Sequence, residues 1–188
     1  MKADFIARLD ADIVCVTECD LPEWAVWGVS NTLRDAGWDV HFGAPTSLSS
    51  DGKSRQRGRR VAIAYRNCLT AGPAIHTDDP VMHSLNHSGR WCEISAATNG
   101  GRDSVTIACY YGVSGATSSK ARNLANERLL SEACLRLAAD DTVPYLLYAD
   151  TNIAPHKSDT LTTMTRGGDM VDIIADRCTD PRGPAPTF

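Results

Sequence analysis

Glu18, Tyr111, Asp150 and Asn152 are residue types able to handle a charged oxygen centre, and each stands at or just past the end of an apolar run. The runs Asp12-Ile13-Val14-Cys15-Val16-Thr17-Glu18 and Tyr145-Leu146-Leu147-Tyr148-Ala149-Asp150 both stop at a carboxylate. Near-continuous apolar runs of this kind read as buried strands, the first with the pattern of one covered on both faces. Two carboxylates converging on one rim repel each other unless a proton or a cation sits between them. A hard divalent metal is the natural neutraliser. Mg²⁺ prefers oxygen ligands, keeps several waters and needs only one or two protein carboxylates beside a substrate phosphate. Tyr111 ends a third run and precedes Gly112, which sets a phenol hydroxyl where a phosphoryl oxygen could lie. Asn152, two residues past Asp150, adds an amide donor. Taken alone, Asp150-Thr151-Asn152 reads equally well as an ordinary Asx turn.

The elements that must position these groups follow from periodicity. Ala3 to Leu9 has the spacing of a short amphipathic helix, with Phe5, Ile6 and Leu9 on one side. A helix opens near Pro22 and runs to about Ala36, with Trp24, Trp27, Val29 and Leu33 as its apolar face and Gly37 as its stop. Trp38 to Phe42 alternates as a strand. Residues 45–60 turn to Ser, Gly, Lys and Arg, with arginines at 55, 57, 59 and 60. This stretch reads as a solvated loop, in preference to a contact with a phosphate backbone. Arg60–Arg66, Arg90–Ser95 and Ser104–Tyr111 read as strands, and Asn99-Gly100-Gly101 makes the last two antiparallel neighbours. Ser118-Ser119 caps the longest helix, which runs to about Ala139 with Leu124, Leu129, Leu130, Cys134, Leu135 and Leu137 apolar. That helix leads into the run ending at Asp150. A short helix near Asp159 to Met164, a turn at Gly167-Gly168 and an apolar run from Met170 to Ile174 follow. Hairpins mixed with helical connections give an α+β fold with mostly antiparallel sheet. No internal repeat or linker divides residues 1–188, which read as a single domain.

Composition narrows the class. A chain of 188 residues, 43% hydrophobic and 22% charged, is built to bury a core. Its net charge of −4 argues against a generally basic nucleic-acid binder. Seven cysteines without a CxxC pair fit a reduced, intracellular and soluble protein. No signal peptide or membrane-length apolar segment is expected, so no membrane partner is either.

Four segments in order carry a family resemblance: Asp12 to Glu18, Val61-Ala62-Ile63-Ala64-Tyr65-Arg66, Tyr111-Gly112-Val113-Ser114-Gly115, and Tyr148-Ala149-Asp150-Thr151-Asn152-Ile153-Ala154-Pro155. Together they resemble successive motifs of the endonuclease/exonuclease/phosphatase, or DNase I-like, superfamily. That superfamily includes apurinic endonucleases, endonuclease domains of non-LTR retrotransposons, and inositol-phosphate and sphingomyelin phosphodiesterases. The resemblance implies a four-layered αββα sandwich with the site at one rim. It implies Glu18 as the metal-binding glutamate and Tyr111 as the active-site tyrosine. In the Asp-x-Asn pair, Asp150 would orient or activate water and Asn152 would hold the phosphate. The implied cofactor is Mg²⁺, or Mn²⁺ in its place. The implied activity is hydrolysis of phosphodiesters, with nucleic acid as the expected substrate and a retroelement endonuclease as the expected source. Small inositol or lipid phosphoesters, or a scaffold without turnover, are the alternatives.

Three departures stand beside the resemblance. Ala149 replaces a usual glycine and Val113 a frequent proline. A complete member also has a first strand bearing an Asn and a closing Ser-Asp-His segment. On this reading the chain is a fragment, incomplete at both ends and inactive or crippled as it stands, because coupled catalytic groups fail together. The weaker sites read as structural. His83, His87 and Cys92 would form a zinc site only if His83 to His87 were helical, and the intervening residues read as loop. Cys15 and Cys19 flank Glu18 without a histidine to activate them. Tyr110 should face away from Tyr111.

Overall fold

The computed structural model describes residues 3–47, 57–74, 79–139 and 142–173. In chain order the elements are α1 (Ala3–Ala7), β1 (Ile13–Val16), β2 (Leu21–Pro22), α2 (Glu23–Asp35), β3 (Trp38–Phe42), β4 (Thr46–Ser47) and β5 (Arg57–Arg59). They continue with β6 (Ala62–Arg66), β7 (Ala71–Pro73), α3 (Pro80–Ser88), β8 (Trp91–Thr98), β9 (Asp103–Tyr111), α4 (Lys120–Ala138), β10 (Tyr145–Asp150) and α5 (Asp159–Gly167). The chain divides into two compact units after Asn152, so all strands and α1 to α4 belong to the first. The second holds α5, capped by the Ser158 hydroxyl, which accepts from the Leu161 amide at 3.2 Å, and ended by Gly168 at φ 82°.

Three sheets carry the first unit, in the orders β1-β6-β3, β10-β9-β8-β7 and β2-β5-β4. Among the described residues every pairing is antiparallel except one, in agreement with the expected class. The β8–β9 hairpin turns at Asn99, Gly100 and Gly101, all at positive φ, as the Asn-Gly-Gly signal requires. The exception joins β9 to β10 in parallel, with α4 as the crossover. A parallel pair needs such a crossover, and it leaves both strands ending at the same edge.

The inner faces of the first two sheets share one apolar core of Val61, Ile63, Tyr65, Cys92, Ile94, Ala96, Ile107, Cys109 and Tyr111, with Ile13 and Cys15 packed against it. On the other face of the first sheet, Leu33 of α2 and Ile6 of α1 pack with Trp38 and Ala64. On the other face of the second sheet, the buried Glu93 accepts from Arg136 of α4 at 2.9 Å and from the Trp91 indole at 3.1 Å. The Ser84 hydroxyl of α3 donates to Glu132 of α4 at 2.7 Å.

Several expectations need correction. Trp24 and Trp27 are 81% and 76% exposed. The buried face of α2 runs instead through Val26, Val29 and Leu33, because only that stripe meets the sheet. Phe5, Leu124 and Leu135 are exposed for the same reason. The run ending at Asp150 is no fully buried strand: β10 has β9 as its one sheet neighbour among the described residues, and Tyr148, Ala149 and Asp150 are exposed. β1 is likewise an edge strand of its sheet, and all four of its residues are only half-buried. Residues 80–88 are helical, although the residues between His83 and His87 were expected to form a loop. Asp79 caps the Val81 amide at 2.8 Å, Pro80 takes the first turn, and Gly89 closes the helix at φ 63°. The stretch 45–60 contains short strands at both ends, while residues 48–56 lie outside the described residues. The run from Met170 lies only partly within them, and its described part forms no strand.

Candidate functional site

Parallel pairing is what gathers the site. Asp150 pairs with Tyr111 in register, so the last residues of β9 and β10 lie side by side at the carboxyl ends of their strands. Open parallel sheets place ligands at such ends. Glu18 arrives from the other sheet, two residues past β1, and its Oε1 accepts a hydrogen bond from the Tyr111 hydroxyl at 2.5 Å. The same hydroxyl lies 2.7 Å from the Ser114 Oγ. Burial, and then the bond to Glu18, push the Tyr111 phenol above its ordinary range, so it stays protonated as a donor. Its proton is committed to the carboxylate, an arrangement that orients Glu18. Strand alternation sends Tyr110 to the opposite face, where its hydroxyl meets Asn126 at 3.1 Å.

The two strand ends are tied together past the ladder. The Gly112 amide donates to the Asp150 carbonyl at 2.7 Å, and the Asn152 side-chain amide donates to the Gly112 carbonyl at 3.1 Å. The Asn152 backbone amide donates to Asp150 Oδ1 at 3.1 Å, closing an Asx turn that fixes the carboxylate. The approach leaves no room for a side chain at Gly112. A Cβ there would sit 2.4 Å from the Thr151 carbonyl oxygen. Glu18 and Asn152 both hold φ 51°, and Asp20 holds 39°. Left-handed non-glycine residues concentrate where surrounding structure over-determines a functional geometry.

Arg90 is a cation of this corner, and nothing in the sequence singled it out. Its Nη1 donates to the Tyr111 and Gly112 carbonyls at 3.3 and 2.5 Å, and its guanidinium lies 4.9 Å from the Tyr111 ring centre. Burial and the nearby Arg60 lower its pKa from the ordinary arginine value. Ser114 and Asn126 were also missed. Of the basic stretch, Arg59 is held by both Glu23 carboxylate oxygens, at 2.8 and 3.0 Å, and by the Gly43 carbonyl at 2.7 Å. Arg60 lies 3.7 Å from Asp20. These two arginines are therefore engaged within the chain, and are neither simply solvated nor a bare polyanion track.

Among the described residues, no three or more His, Cys, Asp and Glu side chains gather to hold a metal ion. A closed protein cage is thereby ruled out for them. The donor set here, an exposed glutamate bonded to Tyr111 with the exposed Asp150 as the strand partner of that tyrosine, suits a hard cation that keeps most of its waters. The zinc alternative does not assemble. His83 and His87 stack at 6.4 Å on α3, but Cys92 is buried with its thiol on the His41 carbonyl. Burial pushes the Cys19 thiol up to about 12, so it is no nucleophile beside Glu18.

No protein-family model matches the chain, and no curated protein matches it by sequence. Solved structures do match by fold. ANGEL2, described as a 2',3'-cyclic phosphatase and solved with adenosine-2',3'-vanadate, aligns over 88% of this chain and 46% of its own at 14% identity and a TM-score of 0.58. The human Nocturnin catalytic domain with bound sulfate aligns over 82% of this chain and 56% of its own at 13% identity and 0.54. A beta toxin from Staphylococcus aureus aligns over 92% and 65% at 12% identity and 0.55. The chain thus spans about half to two thirds of the length of these proteins. It shares their mixed α+β, DNase I-like fold.

Proposed function

From that shared fold, we propose that the chain carries the metal- and phosphate-facing corner of a Mg²⁺-dependent phosphoester hydrolase. The observation that carries the reading is the join between Glu18 and the Tyr111 hydroxyl, with Asp150 paired beside Tyr111 and Asn152 bound to the next residue of the same strand end. Glu18 would hold the cation, which when bound supplies Lewis-acid stabilisation of charge on a phosphoryl oxygen. Tyr111 keeps Glu18 in one orientation. Asp150, exposed at its strand end and fixed by the Asn152 amide, orients and accepts a proton from an attacking water. The Asn152 side-chain amide has two N–H donors. One serves the Gly112 carbonyl, and the other is the candidate for a phosphoryl oxygen. Helices against the outer faces of two sheets with a shared core support the four-layered αββα reading.

The proposed substrate is a nucleic-acid phosphodiester. A small phosphoester is the second reading, favoured by the acidic net charge and by the internal pairing of Arg59. Mg²⁺-dependent turnover of supercoiled plasmid, a 2',3'-cyclic nucleotide and an inositol phosphate tests both. Any plasmid nicking is expected to be weak and to fall at least about 100-fold in Asp150→Asn. Turnover of a small ester with the plasmid untouched moves the substrate class. Turnover unchanged in Asp150→Asn overturns the hydrolase reading, and no turnover of any of the three favours the scaffold without turnover.

A further inference from the structure

Asn126 is a fully buried amide on α4, far in sequence from the proposed site residues. Its Oδ1 accepts from the Val113 backbone amide at 2.7 Å and from the Tyr110 hydroxyl at 3.1 Å, and its Nδ2 donates to the Thr151 carbonyl at 3.0 Å. A backbone N–H can only donate and a carbonyl can only accept, so the orientation of this amide is fixed by its partners.

The two backbone groups it holds belong to peptide planes that also touch the site. The Thr151–Asn152 plane gives its oxygen to Asn126 and its N–H to Asp150 Oδ1. The Gly112–Val113 plane gives its N–H to Asn126, while its oxygen accepts from the Asn152 side chain and from Arg90. One side chain thus fixes the far edge of both planes on which the Asp150 carboxylate and the Asn152 amide rest. We infer that Asn126 is a positioning residue for the Asp150–Asn152 pair, clamping the ends of β9 and β10 into one geometry from behind. The replacements nearest in shape each lose part of this role. Asp keeps the acceptor but turns an oxygen toward the Thr151 carbonyl, Leu satisfies neither plane, and Gln adds a methylene to a site that already crowds Gly112. A Cβ on that glycine would lie 2.8 Å from Oδ1.

The inference deepens the hydrolase reading and rests on it for its catalytic meaning, but the clamp itself is testable without turnover. Amide hydrogen exchange at Gly112, Val113 and Asn152 is compared in the wild type, Asn126→Ala, Asn126→Asp and Leu130→Ala. Leu130 is equally buried on the same helix and controls for general destabilisation. In Asn126→Ala all three amides should exchange at least about 10-fold faster, and Leu130→Ala of similar melting temperature should leave them slow. In Asn126→Asp, Val113 should stay protected while Asn152 is released, a split that loss of stability alone would not produce. In plasmid nicking, kcat should fall about 10- to 100-fold in Asn126→Ala with KM within about 3-fold, and Leu130→Ala should keep its kcat. Unchanged exchange in both Asn126 variants, or equal release in Leu130→Ala, overturns the clamp. If the wild type turns over nothing, exchange alone decides the clamp.

Discussion

Glu18 holds a backbone angle, φ 51°, that costs an ordinary L-residue about 1–2 kcal/mol and glycine almost nothing. A carboxylate kept there points to a role that the strain serves. Glu18→Gly relieves the strain and removes the bond to Tyr111. It should raise stability in urea denaturation by up to about 1 kcal/mol while removing cation binding. A loss of more than about 1 kcal/mol would instead mark Glu18 as a structural residue. Tyr111→Phe keeps the buried ring and deletes the hydroxyl shared by Glu18 and Ser114. Its expected cost is about 0.5–1.5 kcal/mol by the same method, with a fall in plasmid nicking of at least about 10-fold. At this scale the sequence was informative where a polar residue closed an apolar run, which is how Glu18, Tyr111, Asp150 and Asn152 came forward. Arg90 and Asn126 gave no such signal. One precedes a strand and the other sits inside a helix, and each reaches the site through backbone groups brought close by the fold.

Between elements, the decisive feature is the parallel β9–β10 pair and the bare glycine that lets the chain pass beside it. Gly112→Ala drives a methyl group into the Thr151 carbonyl, and neither backbone can yield without separating the strand ends. A loss of about 1–3 kcal/mol in urea denaturation is expected, with loss of protection at the Asn152 amide. Gly28 provides the contrast. It lies inside α2 with nothing within 4 Å of an added Cβ, so Gly28→Ala should stabilise by about 0.5–1 kcal/mol. The hairpin at Asn99 to Gly101 and the helices α2 and α4 were legible because turn chemistry and period are local. Which face of α2 meets a sheet was not, since Trp24 and Trp27 lie as regularly along the helix as Val26 and Leu33 do. An edge strand as apolar as β10 likewise reads as buried until its neighbours are known. The α3 helix was missed although its caps, Asp79-Pro80 and Gly89, were present in the sequence, because polar residues between its histidines outweighed them.

For the whole molecule, thiols are buried both between the sheets and under the helices, and their burial sets the response to alkali. Burial pushes Cys134 up to about 11 and Cys19 up to about 12 from an ordinary 9.0, and it also raises Cys92 and Tyr110. Cys109 rises first through its hydrogen bond with Cys15, and then through burial. Each of these acids has a folded pKa above its unfolded one, so the folded chain retains more protons above about pH 9. Their contribution is complete below the unfolded values and is lost as pH rises through the folded ones. The urea midpoint should therefore fall steadily from pH 9 towards 11. Cys134→Ala, whatever its cost at pH 8, should lose less over that interval than the wild type. A flat profile would mean that these thiols are open to solvent.

The account depends most on a cation meeting Glu18 at the rim where Tyr111, Asp150 and Asn152 are joined. Mn²⁺ titration with NMR detection reads that contact directly, because the paramagnetic ion broadens signals of nearby amides. Selective broadening at Glu18, Tyr111, Asp150 and Asn152, reversed by excess Mg²⁺ and absent in Glu18→Gln, is the predicted result. Broadening centred elsewhere, or undiminished in Glu18→Gln, would contradict it.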